Sequence, residues 1–341
     1  YQVVDYADRD GVAMATNADT ATLTTTGKSE AVSIDDDARA YAATRGIYQD
    51  VRTDVDAVAS AFNGGTLTTT TESAANSQGD FGDALAYGYA SGIYQIARGY
   101  DGVSEALAGN AGTMTVTSTV AANSVNDAGT ADDAYATAEV YAIEQFAGGP
   151  ATDSDVAITD IDNSGTINFA ATGTAIGDDE AYANAFGTGF LQVSESEDDA
   201  QSYFTNEASG VISGSFIGDA AAIEDADADV DGAGGYQYVL GYIEGASADF
   251  ANAGSIEVRG EAIATSQDDD ADANSIIYGQ IQYVETNPFV SPATATMANT
   301  GSLTYTSLAD AMGDDVGSAD ASVLGLMQVA MGYEATTSIT N

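Results

Sequence analysis

The sequence predicts an all-β chain: a right-handed parallel β-solenoid (β-helix) of about seven coils, roughly 46 residues per coil, with two long strands and one short strand in each. Three observations predict it. Glutamines recur at Gln49, Gln95, Gln145, Gln192, Gln237, Gln282 and Gln328, separated by 46, 50, 47, 45, 45 and 46 residues, and Gln2 stands 47 residues before the first. Nine residues before each stands an alanine: Ala40, Ala86, Ala136, Ala183, Ala228, Ala273 and Ala319. Between these columns the residues alternate in character with a period of two, the signature of a strand.

Each element follows in order. A unit opens at an asparagine with a glycine two residues on, as in Asn63-Gly64-Gly65-Thr66-Leu67, Asn110-Ala111-Gly112-Thr113-Met114 and Asn163-Ser164-Gly165-Thr166-Ile167. Both residue types tolerate positive φ, which predicts a turn. The first long strand follows: Ile167, Phe169, Ala171, Gly173 and Ala175 point one way, and Thr166, Asn168, Thr172 and Thr174 the other. The units opening at Asn17 and Asn206 are looser in this region. An acidic turn comes next. The second long strand carries a small column (Ala181, Ala183, Ala185, Gly187, Gly189) alternating with Tyr182, Asn184, Phe186, Thr188 and Phe190. Alanine alone would favour helix; the period of two, with glycines on one side, decides for strand. A short strand closes the unit, for example Val55–Ala59, Val103–Leu107 or Val156–Ile158. The longest links, 145–163 and 282–299, contain Pro150, Pro288 and Pro292, as surface loops do.

Stacked coils place equivalent residues about 4.8 Å apart. The glutamine column then forms an amide ladder along the axis. The alanine and glycine columns let two sheet walls approach closely, or else face a neighbouring rod. The expected organisation is one elongated repeat domain over residues 1–341, with units at 17–62, 63–109, 110–162, 163–205, 206–251, 252–298 and 299–341, after the end of an incomplete unit at 1–16.

Charge limits the partners. Fifty-three acidic residues against seven basic ones give a formal net charge of −46. Nucleic acid and anionic lipid are repelled by such a surface, whereas cations and a salt-rich medium suit it. The chain has no cysteine, so neither disulfides nor thiolate metal sites are expected. No apolar run is long enough to span a membrane.

The acidic turns are the candidate for chemistry: Asp35, Asp36 and Asp37; Asp132 and Asp133; Asp178, Asp179 and Glu180; Asp268, Asp269 and Asp270; Asp314 and Asp315. Twelve residues before the glutamines stand Asp37, Asp83, Asp133, Glu180, Asp225 and Asp270, broken only by Val316. Stacked carboxylates repel by a few kcal/mol at an effective dielectric near 20. Ca²⁺ relieves such repulsion through oxygen ligands, and it is the one cofactor these residues suggest; solvated turns screened by salt are the competing reading. No catalytic residue is expected. Acid–base pairs need environments that separate their pKa values, whereas these acids recur as equivalents, and histidine is absent.

The unit N-x-G-[TS]-[ILM], followed by A-x-A and G-x-x-Q, resembles the repeats of long bacterial extracellular β-strand-repeat proteins, autotransporters and filamentous-haemagglutinin-like adhesins. The resemblance covers essentially the whole chain and implies a secreted, β-helical stalk with attachment, matrix or filament roles. A recognisable signal or translocator barrel does not accompany it. The expected function is a structural, non-enzymatic module of an extracellular filament, adhesin stalk or biofilm matrix fibre. Its partners would be copies of itself end to end or the rest of a longer chain, with surface glycans as a further class. An acidic surface-layer or calcium-binding solenoid of a salt-adapted cell is the alternative, and a polysaccharide-active enzyme comes last.

Overall fold

The computed structural model of the chain describes residues 1–7, 9–34, 36–78, 82–124, 132–148, 156–287 and 291–341. Its described residues form strands, turns and bends, and all inter-strand pairing is parallel. Three sheets of eight, eight and seven strands run along the molecule, each built from every third strand of the chain. This is the parallel β-solenoid that the repeat predicts. Each coil contributes a strand of about twelve residues (such as Thr166–Gly177), one of about sixteen (such as Glu180–Ser196) and one of seven or eight (such as Asp199–Asn206).

The register stacks equivalent columns. Gln145 pairs with Gln95 on one side and Gln192 on the other, and Ala136 with Ala86 and Ala183. The alanines lie inside: Ala86, Ala136, Ala183, Ala228 and Ala273 are buried, and Ala319, in the last coil, is exposed. The small columns therefore bring two walls of one coil together and do not face another rod. The units opening at Asn17 and Asn206 form strands as regular as the others, Thr22–Ser33 and Val211–Ala222. Their looseness is two extra turn residues, bridged by hydrogen bonds from Ala21 N to Ala18 O and from Gly210 N to Glu207 O.

The asparagine does more than open a turn. It is the last residue of the short strand, as in Ala57–Asn63 and Asp199–Asn206, with its side chain turned inward. The glycine two residues on is also explained differently. Among the described residues the positive-φ glycines are Gly148 and Gly187, so Gly112, Gly165 and Gly301 do not serve left-handed backbone. A Cβ at each would strike the carbonyl oxygen of the equivalent glycine one coil away. Stacking distance, not turn geometry, requires glycine there.

The second long strand departs from strict alternation. Its pairing skips the column that begins Gly46, Gly92 and Ala142: Arg45 pairs with Ser91 and Ile47 with Ile93, with no pair between them. Val140, Ala142 and Ile143 are all buried, so the inward phase slips by one residue at this bend. Phe190, expected beside Tyr182 on the outer side, is consequently inside. Its ring stacks on Phe204 with centroids 3.9 Å apart, and Phe204 stacks on Phe250 at 5.2 Å. Six residues of the glutamine column, Gln49 to Gln282, are fully buried by the same slip.

That column divides the interior. A large apolar cluster, with Leu67, Ile93, Phe169, Phe190 and Phe216, lies on one side. Two smaller clusters of alanine and valine lie on the other, around Val51 with Ala97 and around Val239 with Val284. Between those two sits a hydroxyl patch, in which Thr159 Oγ1 lies 3.0 Å from both Ser194 Oγ and Ser202 Oγ.

Candidate functional site: ladders, acidic turns and an outer groove

Both polar columns are continuous ladders. From Gln49 to Gln328 each side-chain amide nitrogen donates to the amide oxygen of the glutamine one coil earlier, at 2.8 to 3.1 Å. Its second hydrogen goes to a carbonyl of the short strand, as from Gln145 to Asp160 O at 2.9 Å and from Gln192 to Tyr203 O at 2.8 Å. The asparagines form a second ladder of opposite polarity. Asn17 donates to Asn63, Asn63 to Asn110, and so on to Asn341, at 2.5 to 2.8 Å. Each amide satisfies a group that burial would otherwise leave unpaired, a deficit of about 1–3 kcal/mol apiece.

The acidic turns do not act as equivalents. In the early coils the carboxylates cap backbone: Asp37 Oδ1 accepts from Asp83 N at 3.2 Å, and Asp83 Oδ1 accepts from Asp133 N at 3.4 Å. Asp37 N donates to Asp36 at 2.9 Å, and Arg39 forms an ion pair with Asp37 at 2.9 Å. Tyrosines two residues on donate to Asp133 and Glu180, at 3.0 and 2.9 Å. Asp132 is buried, whereas Asp178 and Asp179 are half-buried. Asp268, Asp314 and Asp315 are exposed, and Asp35 lies outside the described residues. Asp80, the weaker acid of the second turn, also lies outside them, as do Pro150 and Pro288 in the long links. Among the described residues one trio brings carboxylate oxygens within 4.8 Å of one another: Asp225, Asp269 and Asp270, all exposed. Desolvation and the charges of Asp225, Asp270 and Asp315 hold Asp269 above the ordinary carboxylate range.

The feature that sequence reasoning missed lies on the outer face of the long strands, at the bend. Four residues before each glutamine the column reads Arg45, Ser91, Tyr141, Thr188, Ala233, Tyr278 and Leu324. In the early coils it is filled. The Arg45 guanidinium lies 4.9 Å from the centre of the Tyr89 ring, 4.7 Å from Tyr94 and 5.5 Å from Tyr48. Glu144 is buried beside them and accepts a short hydrogen bond from Tyr89 Oη. Burial pushes Glu144 up to about 7, against the hydrogen bond from Tyr89 and the charge of Arg45.

Farther along, the same groove is open. Tyr141 and Tyr278 bracket the smaller Thr188 and Ala233, leaving a slot of about 580 Å³. Phe186, Asp229 and Asp231 line it on one side, with Leu191, Tyr236 and Ile281 on the other. Burial, and then the charge of Asp229, raise Asp231 above the usual carboxylate range. Gly187, at the slot, has a φ of 143°, open in practice only to glycine. The signal for this site was in the sequence: a column whose large, small, small, large pattern contrasts with the constant columns on either side.

Compared with family models, with curated proteins and with solved structures, the chain matches none of the three. The functional reading therefore rests on its own geometry.

Proposed function

We propose that this chain is a structural, non-enzymatic module of an extracellular filament, adhesin stalk or biofilm matrix fibre, assembling by coil-on-coil stacking. One observation carries the reading: both ladders run unbroken from the first coil to the last and finish in complementary groups. The glutamine ladder donates toward the N-terminal end, which leaves the Gln328 oxygen as an acceptor and the Gln2 amide with a hydrogen to give. The asparagine ladder donates the other way, which leaves the Asn341 amide as donor and the Asn17 oxygen as acceptor. A following coil, from another copy or from further chain, would continue both. The last layer also exposes Ile339, whose equivalents Met297 and Phe250 in the two coils before it are buried. The extracellular setting is supported by the resemblance of the repeat pattern alone.

Gly325 offers the test. A Cβ at Gly46, Gly92, Gly189, Gly234 or Gly279 would meet the backbone of the next coil, whereas at Gly325 it meets nothing within 4 Å. Gly325→Glu should leave each rod folded and block stacking on it. Electron microscopy and sedimentation at rising concentration should show the parent chain in end-to-end multiples of a rod about 34 Å long, and the variant as single rods. Discrete single rods of the parent chain at every concentration would defeat self-stacking.

An acidic surface-layer role in a salt-adapted cell is the second reading. The net charge of −46 and the exposed trio Asp225, Asp269 and Asp270 favour it.

A further inference from the structure

The repeat contains its own control for the outer groove. Where Arg45 stands, the groove is occupied by a guanidinium packed against three tyrosine rings beside the buried carboxyl group of Glu144. Three coils along the same column the surroundings recur in kind: aromatic rings at Tyr141, Phe186, Tyr236 and Tyr278, and carboxylates at Asp229 and Asp231. The cation does not recur, because the column carries Thr188 and Ala233. No lysine or arginine lines the slot.

We propose that this slot binds a small organic cation, a guanidinium or alkylammonium compound, in the place that Arg45 occupies within its own groove. The negative faces of aromatic rings attract such cations, more strongly when water is displaced. The paired carboxylates add charge complementarity and exclude anions. Volume agrees, since about 580 Å³ falls in the range of small-molecule sites. The chain itself offers little competition for the site: of its seven basic side chains, Lys28, Arg39, Arg52 and Arg259 are already ion-paired with carboxylates, and Arg45 is packed on tyrosines. Nothing in this inference depends on filament formation.

The experiment is a titration of the whole chain with methylguanidine, followed by calorimetry and by NMR of the ligand, with uncharged methylurea as the shape-matched control. Methylguanidine should bind and methylurea should not, and raising NaCl should weaken the binding. Asp229→Asn with Asp231→Asn, both on the outer side of the strand and lining the slot, should reduce affinity at least tenfold while circular dichroism stays unchanged. Thr188→Arg, which supplies a guanidinium from the chain, should abolish binding. Equal binding of methylurea, no binding of methylguanidine, or undiminished binding in either folded variant would overturn the proposal.

Discussion

The two faces of the sixteen-residue strands obey different rules. Inward, the residues nine before each glutamine are all alanine, and the glutamines themselves do not vary. Outward, one column passes through Arg45, Ser91, Tyr141, Thr188, Ala233, Tyr278 and Leu324. Stacking at a fixed spacing explains the contrast. An inward residue touches its own equivalents above and below, so any change is felt in three coils at once. An outward residue has no facing wall to fit, so the column can change size from coil to coil, and variation there shapes grooves even where Ser91 and Thr188 are covered by their neighbours. Constancy in this molecule therefore marks structure, and departure from it marks the surface available for binding.

The strongest way to break this contrast is to put an apolar residue into a ladder. Gln145→Leu removes donors from Gln95 Oε1, Ala106 O and Asp160 O, and takes the acceptor from Gln192. At about 1–3 kcal/mol per buried unsatisfied group, it should cost about 3–5 kcal/mol in chemical denaturation. The outward Leu191→Gln, one residue from the next ladder position, should cost less than about 1 kcal/mol. A smaller loss follows at the stacked turns from Gly165→Ala, whose methyl would strike the Gly112 carbonyl one coil away. It should destabilise by about 1–3 kcal/mol.

Acidity sharpens the comparison further, because the titrating groups lie on the outer side. Burial raises Glu144 to about 7, and raises Asp160 and Asp227 to about 6, the charges of nearby aspartates adding to the last two. In the unfolded chain these groups titrate at about 4. The folded state thus holds more protons between pH 4 and pH 7, and stability falls as pH rises through that window. The melting temperature should be higher at pH 5 than at pH 8. Glu144→Gln should remove its share of the slope, on the order of 3 kcal/mol, leaving the contributions of Asp160 and Asp227, and a melting temperature that rises toward pH 8 would contradict the assignment.

The smallest effect belongs to the exposed trio. Asp269→Asn removes one of three mutually repelling carboxylates. It should raise the melting temperature slightly at low salt and not at 1 M NaCl, where screening acts over about 3 Å. Melting in EDTA and then in excess Ca²⁺ at matched ionic strength should coincide; a rise with Ca²⁺ that Asp269→Asn abolishes would show that Asp225, Asp269 and Asp270 hold the ion.

Much of the architecture was legible because a solenoid writes each axial column into the sequence at a fixed interval. The period located the coils, the alanines identified the close-packed walls, and the glutamines announced a ladder. The asparagine ladder was legible in principle, since Asn17 to Asn341 recur once per coil, at looser spacings of 42 to 53 residues, but an Asn-x-Gly sequence reads first as a turn. The glycine beside it looked like a conformational requirement and proved to be a contact requirement, which only a neighbouring coil can reveal.

By itself, then, the sequence determined what repeats: strand type, coil length and the identity of the stacked columns. Two things were left to the tertiary structure. The bend at the glycine column decided that Phe190 and Gln192 point inward, because alternation predicts a side only as far as the strand stays regular. Coil-on-coil stacking decided that Tyr141, Thr188, Ala233 and Tyr278, up to 137 residues apart in the chain, form one groove. That groove depends on how unlike residues in one column differ in size, and a repeat read for its constants passes over such differences.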